Sequence, residues 1–159
     1  MQNEEEYEIL HCVKATVNGD CKVIMGAGSN STDTAIRSSK KAQELGADAI
    51  LSVVPYYNKP SQKGMIEHFS AVAEASDLPV ILYNIPSRTG VNITPATCGE
   101  LCKHPNIVAI KEASGNISQI AEIAALCGDK INIYSGNDDQ IVPIMSLGGK
   151  GCISVLSNL

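Results

Sequence analysis

The sequence predicts an α/β fold of repeated strand–helix units around a parallel sheet, and three observations carry that expectation. Short apolar runs alternate with longer amphipathic stretches, and a unit recurs every 20 to 30 residues. Most of the apolar runs also lack the apolar/polar alternation of a sheet with one wet face, so both faces are expected to be covered. No linker, charge block or low-complexity stretch divides the chain. Residues 1–159 are therefore read as one domain, and 44 % hydrophobic against 18 % charged residues suffices for a sizeable core.

Taken in order, the chain opens on a helix from about Asn3 to Ala15. Strands are expected at Lys22 to Ala27, Ala49 to Val54, Pro79 to Asn84, Ile107 to Lys111, Ile131 to Ser135 and Gly151 to Val155. Helices are expected between them at Ser31 to Leu45, Ser61 to Ala75, Pro95 to Lys103, Ile117 to Cys127 and Asp138 to Ser146. End signals support these limits: Asn30 or Ser31 can cap the second helix, Thr94-Pro95 supplies a cap with proline in the first turn, and Gly46 and Gly128 stop two helices. The order fits either an arc of a (β/α)8 barrel or an open doubly wound sheet. Six strands are too few for the usual barrel, which takes at least about 200 residues. Because the chain starts in a helix and stops at Ser157-Asn158-Leu159 directly after a strand, both ends are expected to be cut.

A net charge of −5, with 12 Lys and Arg spread along the chain, argues against a nucleic-acid partner, which needs a basic face. The acidic start Met1-Gln2-Asn3-Glu4-Glu5-Glu6 is unlike a secretory signal, and no apolar stretch approaches a bilayer-spanning length. A cytoplasmic protein without a membrane partner is expected. Cys12, Cys21, Cys98, Cys102, Cys127 and Cys152 contain no Cys-x-x-Cys pair and are read as reduced core residues, with a metal or disulfide role as the lesser reading.

Chemistry is expected at two motifs. Tyr83 closes the run Val80-Ile81-Leu82, and Lys111, 28 residues later, closes Ile107-Val108-Ala109-Ile110. Both polar groups would then sit at the carboxyl ends of strands, where α/β proteins place their active sites. A half-buried lysine there is desolvated, which favours a neutral amine able to attack a carbonyl carbon, and a phenol beside it can relay the protons of Schiff-base chemistry. The plain alternatives are a rim lysine paired with Glu112 and a tyrosine reaching out of the core.

Arg88, in the Pro-Ser-Arg-Thr-Gly loop, can present its fork to a carboxylate or be an ordinary surface arginine. Of Tyr56-Tyr57, one can face the site while the other packs, or both can lie at a subunit interface. Gly26-Ala27-Gly28 suggests a tight turn ahead of an anion cradle. Ser135-Gly136-Asn137-Asp138-Asp139 suggests helix capping ahead of a carboxylate metal site. His11, His68 and His104 are too dispersed for a zinc site, so no metal is expected.

Val54-Pro55-Tyr56-Tyr57-Asn58-Lys59-Pro60, Tyr83-Asn84-Ile85-Pro86-Ser87-Arg88-Thr89-Gly90 and Ile110-Lys111-Glu112-Ala113-Ser114-Gly115-Asn116 closely resemble the dihydrodipicolinate synthase (4-hydroxy-tetrahydrodipicolinate synthase) family. Gly26-Ala27-Gly28 and Gly151-Cys152-Ile153-Ser154-Val155 extend the resemblance, which runs from about Glu5 to Leu159. That family is a group of (β/α)8 barrels among the class I Schiff-base aldolases, a superfamily it shares with N-acetylneuraminate lyase. The Pro-Ser-Arg-Thr-Gly and Lys-Glu-Ala-Ser-Gly wording favours the synthase.

The resemblance implies an incomplete barrel with strands three to eight of eight. It lacks the two strands that carry a Gly-Thr-Thr-Gly-Glu segment and the carboxyl-terminal helical region. It implies that Lys111 forms an imine with pyruvate, that Tyr83 relays protons with Tyr57 reaching in from a neighbouring subunit, that Arg88 holds a substrate carboxylate, and that Ile153 offers its carbonyl near the site. The implied reaction joins pyruvate to L-aspartate 4-semialdehyde in lysine and diaminopimelate biosynthesis, without metal or organic cofactor, in a tetramer of two tight dimers. A regulatory lysine site would use Asn30 and Tyr56, but Thr34 stands where the family's glutamate would pair with the ammonium. The competing expectations are a related aldolase acting on another acceptor, a fragment that acts only by assembly, and a nucleotide-binding module.

Overall fold

The computed structural model describes residues 3–158, so Met1, Gln2 and Leu159 of the expected domain lie outside the described residues. The strands are β1 (Ile24–Gly26), β2 (Ala49–Val53), β3 (Val80–Asn84), β4 (Ile107–Glu112), β5 (Asn132–Ser135) and β6 (Gly151–Cys152). The helices are α1 (Asn3–Val17), α2 (Thr32–Glu44), α3 (Gln62–Glu74), α4 (Pro86–Thr89), α5 (Pro95–Leu101), α6 (Ile117–Cys127) and α7 (Ile141–Ser146), with 3₁₀ turns at Gly128–Lys130, Asp138–Gln140 and Leu156–Asn158.

Four helix starts have a side-chain cap. Ser31 rather than Asn30 caps α2, its hydroxyl accepting from the Thr34 amide, and Ser61, Thr94 and Asn116 do the same for α3, α5 and α6. Gly46 at φ 77° and Gly128 at φ 54° end α2 and α6 in backbone that favours glycine. One element escapes the sequence reading. Pro-Ser-Arg-Thr-Gly is a helical turn, α4, with proline at its start and Gly90 left-handed at its end, where a loop was expected.

All five strand pairings are parallel and the order is β1-β2-β3-β4-β5-β6. A doubly wound sheet reverses its direction of growth; this sheet never does. Right-handed crossovers that all step the same way lay their helices on one face, and α2, α3, α5, α6 and α7 do pack in succession. The sheet is a six-stranded arc of a barrel.

The expectation that both sheet faces are covered is corrected in part: on the face without helices Ile81 and Ala109 are buried, while its other strand residues are half-buried or exposed. In β2, Ile50 and Ser52 are buried under the helices while Ala49, Leu51 and Val53 are only half-buried; in β4, Ile110 and Glu112 are buried and Lys111 is half-buried. The strands are apolar on both faces, yet within the described residues only one face has helices to meet.

Beneath the helices, α3 buries Met65, His68, Phe69, Val72 and Ala73, the stripe that a 3.6-residue period turns toward a sheet. Together with Ile50, Leu82, Ile110, Ile120 and Ile123, the apolar members Met65, Phe69, Val72 and Ala73 form one core, and each large side chain fully buried adds about 1.5–3 kcal/mol. At the start of the arc, Asp48 accepts from the Val23 amide at 2.9 Å and from Lys14 and Lys22 at 2.9 and 3.0 Å, tying α1 to the first two strands. The Val23 amide first, then the two ammonium groups, hold this carboxyl well below the usual carboxylate range.

The cysteines divide evenly. Cys98, Cys102 and Cys127 are core residues as expected, but Cys12, Cys21 and Cys152 are exposed, because α1 and β6 lie at the ends of the arc where little covers them.

Candidate active site

Parallel pairing puts Val53, Tyr83, Lys111 and Tyr134 side by side in one row across β2 to β5. The row lies at the carboxyl ends of the strands, on the face without helices. Lys111 Nζ rests 4.1 Å from the centroid of the Tyr83 ring, a cation–π contact. No carboxylate approaches Lys111 within ion-pair distance among the described residues. The amine therefore sits half-buried beside a phenol.

Glu112, the partner that the plain reading would give Lys111, points the other way. A strand alternates its side chains, so Glu112 is fully buried toward the helices. There it meets only neutral donors. Asn84 Nδ2 lies 3.1 Å from both carboxylate oxygens, the Ser114 amide 2.7 Å from Oε1, and Gln119 Nε2 3.4 Å from Oε2. Desolvation pushes the Glu112 carboxyl up, and the hydrogen bonds from Asn84, Ser114 and Gln119 pull against it.

The network continues outward. Asn92 accepts from Asn84 at 2.9 Å and exchanges bonds with Gln119, and Asn84 Oδ1 accepts the Ile93 amide at 3.0 Å. Gln62 then donates to the Asn92 carbonyl and accepts from Thr94 and Thr97. These bonds tie Asn84 and Asn92, on either side of α4, to α3, α6 and the strand that carries Lys111. The network was missed in the sequence, although Asn84 and Glu112 both stand next to residues singled out.

Two glycines in the expected motifs are explained by close approach. A Cβ on Gly136 would lie 2.8 Å from Ala113 Cβ and 3.1 Å from Lys111 Cε, so the glycine clears the path of the lysine stem. A Cβ on Gly28 would lie 2.3 Å from the Val53 amide nitrogen, so this glycine is required by the close approach of the neighbouring strand. The capping reading of the segment after β5 is corrected in part. Asn137 precedes the 3₁₀ turn without a side-chain cap, and instead the Ser135 hydroxyl accepts from its amide and donates to its carbonyl.

The remaining candidates fall in neighbouring places. Arg88, on α4, is exposed and shares a shallow cavity of about 730 Å³ with Tyr56, Tyr57 and Lys59. Tyr57 is 89 % exposed at φ 71°, and Lys59 has φ 47°. Side chains seldom adopt this left-handed backbone, so the loop after β2 holds some strain. Lys111 does not line that cavity. Ile153 follows β6, its amide donating to the Ser135 carbonyl at 2.9 Å. Asn30 and Tyr56 lie on adjacent loops that Asn58 links, donating to the Asn30 carbonyl at 2.8 Å, while Thr34 accepts from Arg37 at 3.2 Å.

Among the described residues no group of three or more His, Cys, Asp or Glu is arranged to hold a metal ion. No helix among them is long and apolar enough to cross a membrane.

The profile of the Dihydrodipicolinate synthetase family matches residues 1–159. A 4-hydroxy-tetrahydrodipicolinate synthase of Caldicellulosiruptor saccharolyticus is 60 % identical over 159 residues, which are 100 % of this chain and 54 % of that protein. The chain thus spans about half the length of the curated relatives it matches. Among solved structures, DHDPS from Cyanidioschyzon merolae with lysine bound superposes with a TM-score of 0.96 at 52 % identity, covering 99 % of this chain and 54 % of that one. The chloride-inhibited dihydrodipicolinate synthase from Acinetobacter baumannii complexed with pyruvate gives a TM-score of 0.97 at 42 % identity, covering 99 % and 54 %.

Proposed function

The chain belongs to the dihydrodipicolinate synthetase family, and from that premise we propose that it carries the Schiff-base half of a pyruvate-dependent synthase site. One observation supports this most: Lys111 Nζ lies 4.1 Å from the Tyr83 ring centre, at the carboxyl ends of adjacent parallel strands. A solved relative is complexed with pyruvate, and pyruvate is the carbonyl substrate proposed here.

In the proposed reaction Lys111 attacks the ketone carbon of pyruvate, and the carbinolamine loses water to give an imine. Tyr83 passes the protons of both steps; its hydroxyl has no hydrogen-bond partner among the described residues and is free for this. Loss of a methyl proton gives an enamine, whose carbon attacks the aldehyde of L-aspartate 4-semialdehyde. Cyclisation onto the imine carbon then releases the lysine amine and 4-hydroxy-tetrahydrodipicolinate. The imine is itself the electron sink, so this chemistry calls on no metal or organic cofactor. Arg88, exposed and without a carboxylate partner among the described residues, is the group proposed to hold a substrate carboxylate, with the Ile153 carbonyl beside the pocket.

Tyr57 is proposed to complete the proton relay of a second copy, within a cytoplasmic homotetramer. Its 89 % exposure and its lack of a hydrogen bond within the chain among the described residues support that reading. Light scattering tests it, and a well-folded monomer that still turns over would overturn it.

The deciding experiment is intact mass after incubation with pyruvate and borohydride, which fixes an imine as a stable adduct. An adduct absent from Lys111→Ala is expected. Folded protein without an adduct, or an adduct that survives the substitution, would overturn the proposal.

A further inference from the structure

The α5–α6 contact holds three thiols that the proposed reaction does not use. Cys98 on α5 and Cys127 at the end of α6 are buried with their Sγ atoms 3.9 Å apart, and Cys102, one turn past Cys98, completes the group at its rim. The Cys102 thiol donates to the Gly99 carbonyl at 3.3 Å, and although it also neighbours Cys127, the sulfur–sulfur contact of Cys127 at 3.9 Å is with Cys98. Most of the closure that a bond between distant residues needs is thus in place in the folded chain, since Cys98 and Cys127 are 29 residues apart yet their sulfurs are in van der Waals contact.

The two sulfurs are also chemically unequal. The Cys98 thiol, then the Cys102 thiol and the Lys130 ammonium, favour the Cys127 thiolate and lower its pKa against the effect of burial. Cys98 is pushed up by Cys127 and by burial. Reactivity at a thiol follows its thiolate character and its exposure, and Cys127, 2 % exposed against 0 % for Cys98, is the more reachable of the two sulfurs.

We propose that Cys98 and Cys127 are a reversible oxidation site that takes a hydroperoxide as oxidant and closes to an intrachain disulfide between α5 and α6. The Cys127 sulfur attacks the peroxide O–O bond and becomes a sulfenic acid, releasing water or an alcohol. The Cys98 sulfur then displaces hydroxide from the Cys127 sulfur, and the thiol proton leaves with it as a second water. Two electrons pass from the two thiols to the peroxide, and a dithiol reductant reverses the change by exchange. α5 leads into β4 and α6 leads out of it, so the bond would brace the two helices that flank the strand of Lys111.

The test uses a chain with Cys12→Ser, Cys21→Ser and Cys152→Ser, which removes the exposed thiols. Hydrogen peroxide in slight excess is added to the folded protein, and intact mass and a non-reduced peptide map are read before and after dithiothreitol. A loss of two hydrogens, restored by the reductant, with Cys98 joined to Cys127 and unaffected by Cys102→Ala, is expected. An unchanged mass, oxygen addition without a bond, or a bond that includes Cys102 would overturn the proposal. The same peptide map on the parent chain decides the pairing should the substituted chain fold poorly.

Discussion

Lys111 and Glu112 are consecutive in sequence and face opposite sides of the sheet, the lysine above the Tyr83 ring and the carboxylate among Asn84, Ser114 and Gln119. A strand-end ion pair between them is thereby excluded. The lysine is left beside a phenol, while the carboxylate holds together the segments that position it.

Tyr83→Phe keeps the ring under Lys111 and removes only the hydroxyl. If the phenol relays protons, pyruvate adduct formation should slow by about 10²- to 10⁴-fold, with thermal stability unchanged. A rate within a few-fold of the parent would show that protons travel another way.

Gly136→Ala places a methyl group 3.1 Å from Lys111 Cε and 2.8 Å from Ala113 Cβ. Ala113 must then shift and the lysine stem must give by a few tenths of an ångström, so the rate should fall, by less than the about 10²-fold that a 1 Å displacement costs. The adduct rate with pyruvate is the measurement, and Gly115→Ala is a useful control because nothing lies within 4 Å of its would-be Cβ, although its positive φ strains the loop.

Glu112→Ala leaves the donors of Asn84, Ser114 and Gln119 without their acceptor, at about 1–3 kcal/mol for each one that stays unpaired. Urea unfolding should show a lower midpoint with little change in slope. Glu112→Gln is expected to be only a partial rescue, because its amide presents donors to donors. The pH dependence has a definite sign. Burial raises the carboxyl, so the folded state keeps its proton where the unfolded chain has lost it. That contribution is complete below about pH 4.3 and is lost as pH rises through the folded-state value.

His68 acts in the opposite sense and in another window. Its ring is buried, Nδ1 shares a 2.8 Å hydrogen bond with Thr32, Nε2 has no partner, and desolvation lowers its pKa. The unfolded chain therefore takes up the proton first. Stability from the neutral ring is present above about pH 6.5 and declines as pH falls below it. The parent should lose urea stability relative to His68→Leu between pH 7.5 and pH 5.5; parallel curves would assign the acid sensitivity elsewhere.

Free lysine should leave the pyruvate adduct rate unchanged up to millimolar concentrations. Thr34 brings no carboxylate to the loops of Asn30 and Tyr56, and its hydroxyl is engaged by Arg37. Dose-dependent slowing by lysine would overturn this.

Much of the site was legible because its signals are local. Lys111 and Tyr83 close apolar runs, and a polar residue that ends a buried parallel strand can sit only at the strand's carboxyl edge. Arg88 was legible as a residue but not as part of a helical turn, since Pro86 and Gly90 mark a turn and a one-turn helix alike. The alternative pairing of Lys111 with Glu112 falls because the two-residue period of a strand turns adjacent side chains to opposite faces.

The sequence by itself determined the order of strands and helices, their caps and the strand-end placement of Lys111 and Tyr83. All of these rest on interactions within a few residues. The local units left a barrel arc and a doubly wound sheet open, because the two differ only in the direction of each crossover; the family resemblance implied the barrel, and the strand order bears it out. The tertiary structure alone decided what lies behind and beside the lysine. Asn84 reaches Glu112 across 28 residues and Cys98 reaches Cys127 across 29, distances over which no local pattern reports. Gly136 clears Lys111 from the next strand, a requirement that exists only once β4 and β5 are paired.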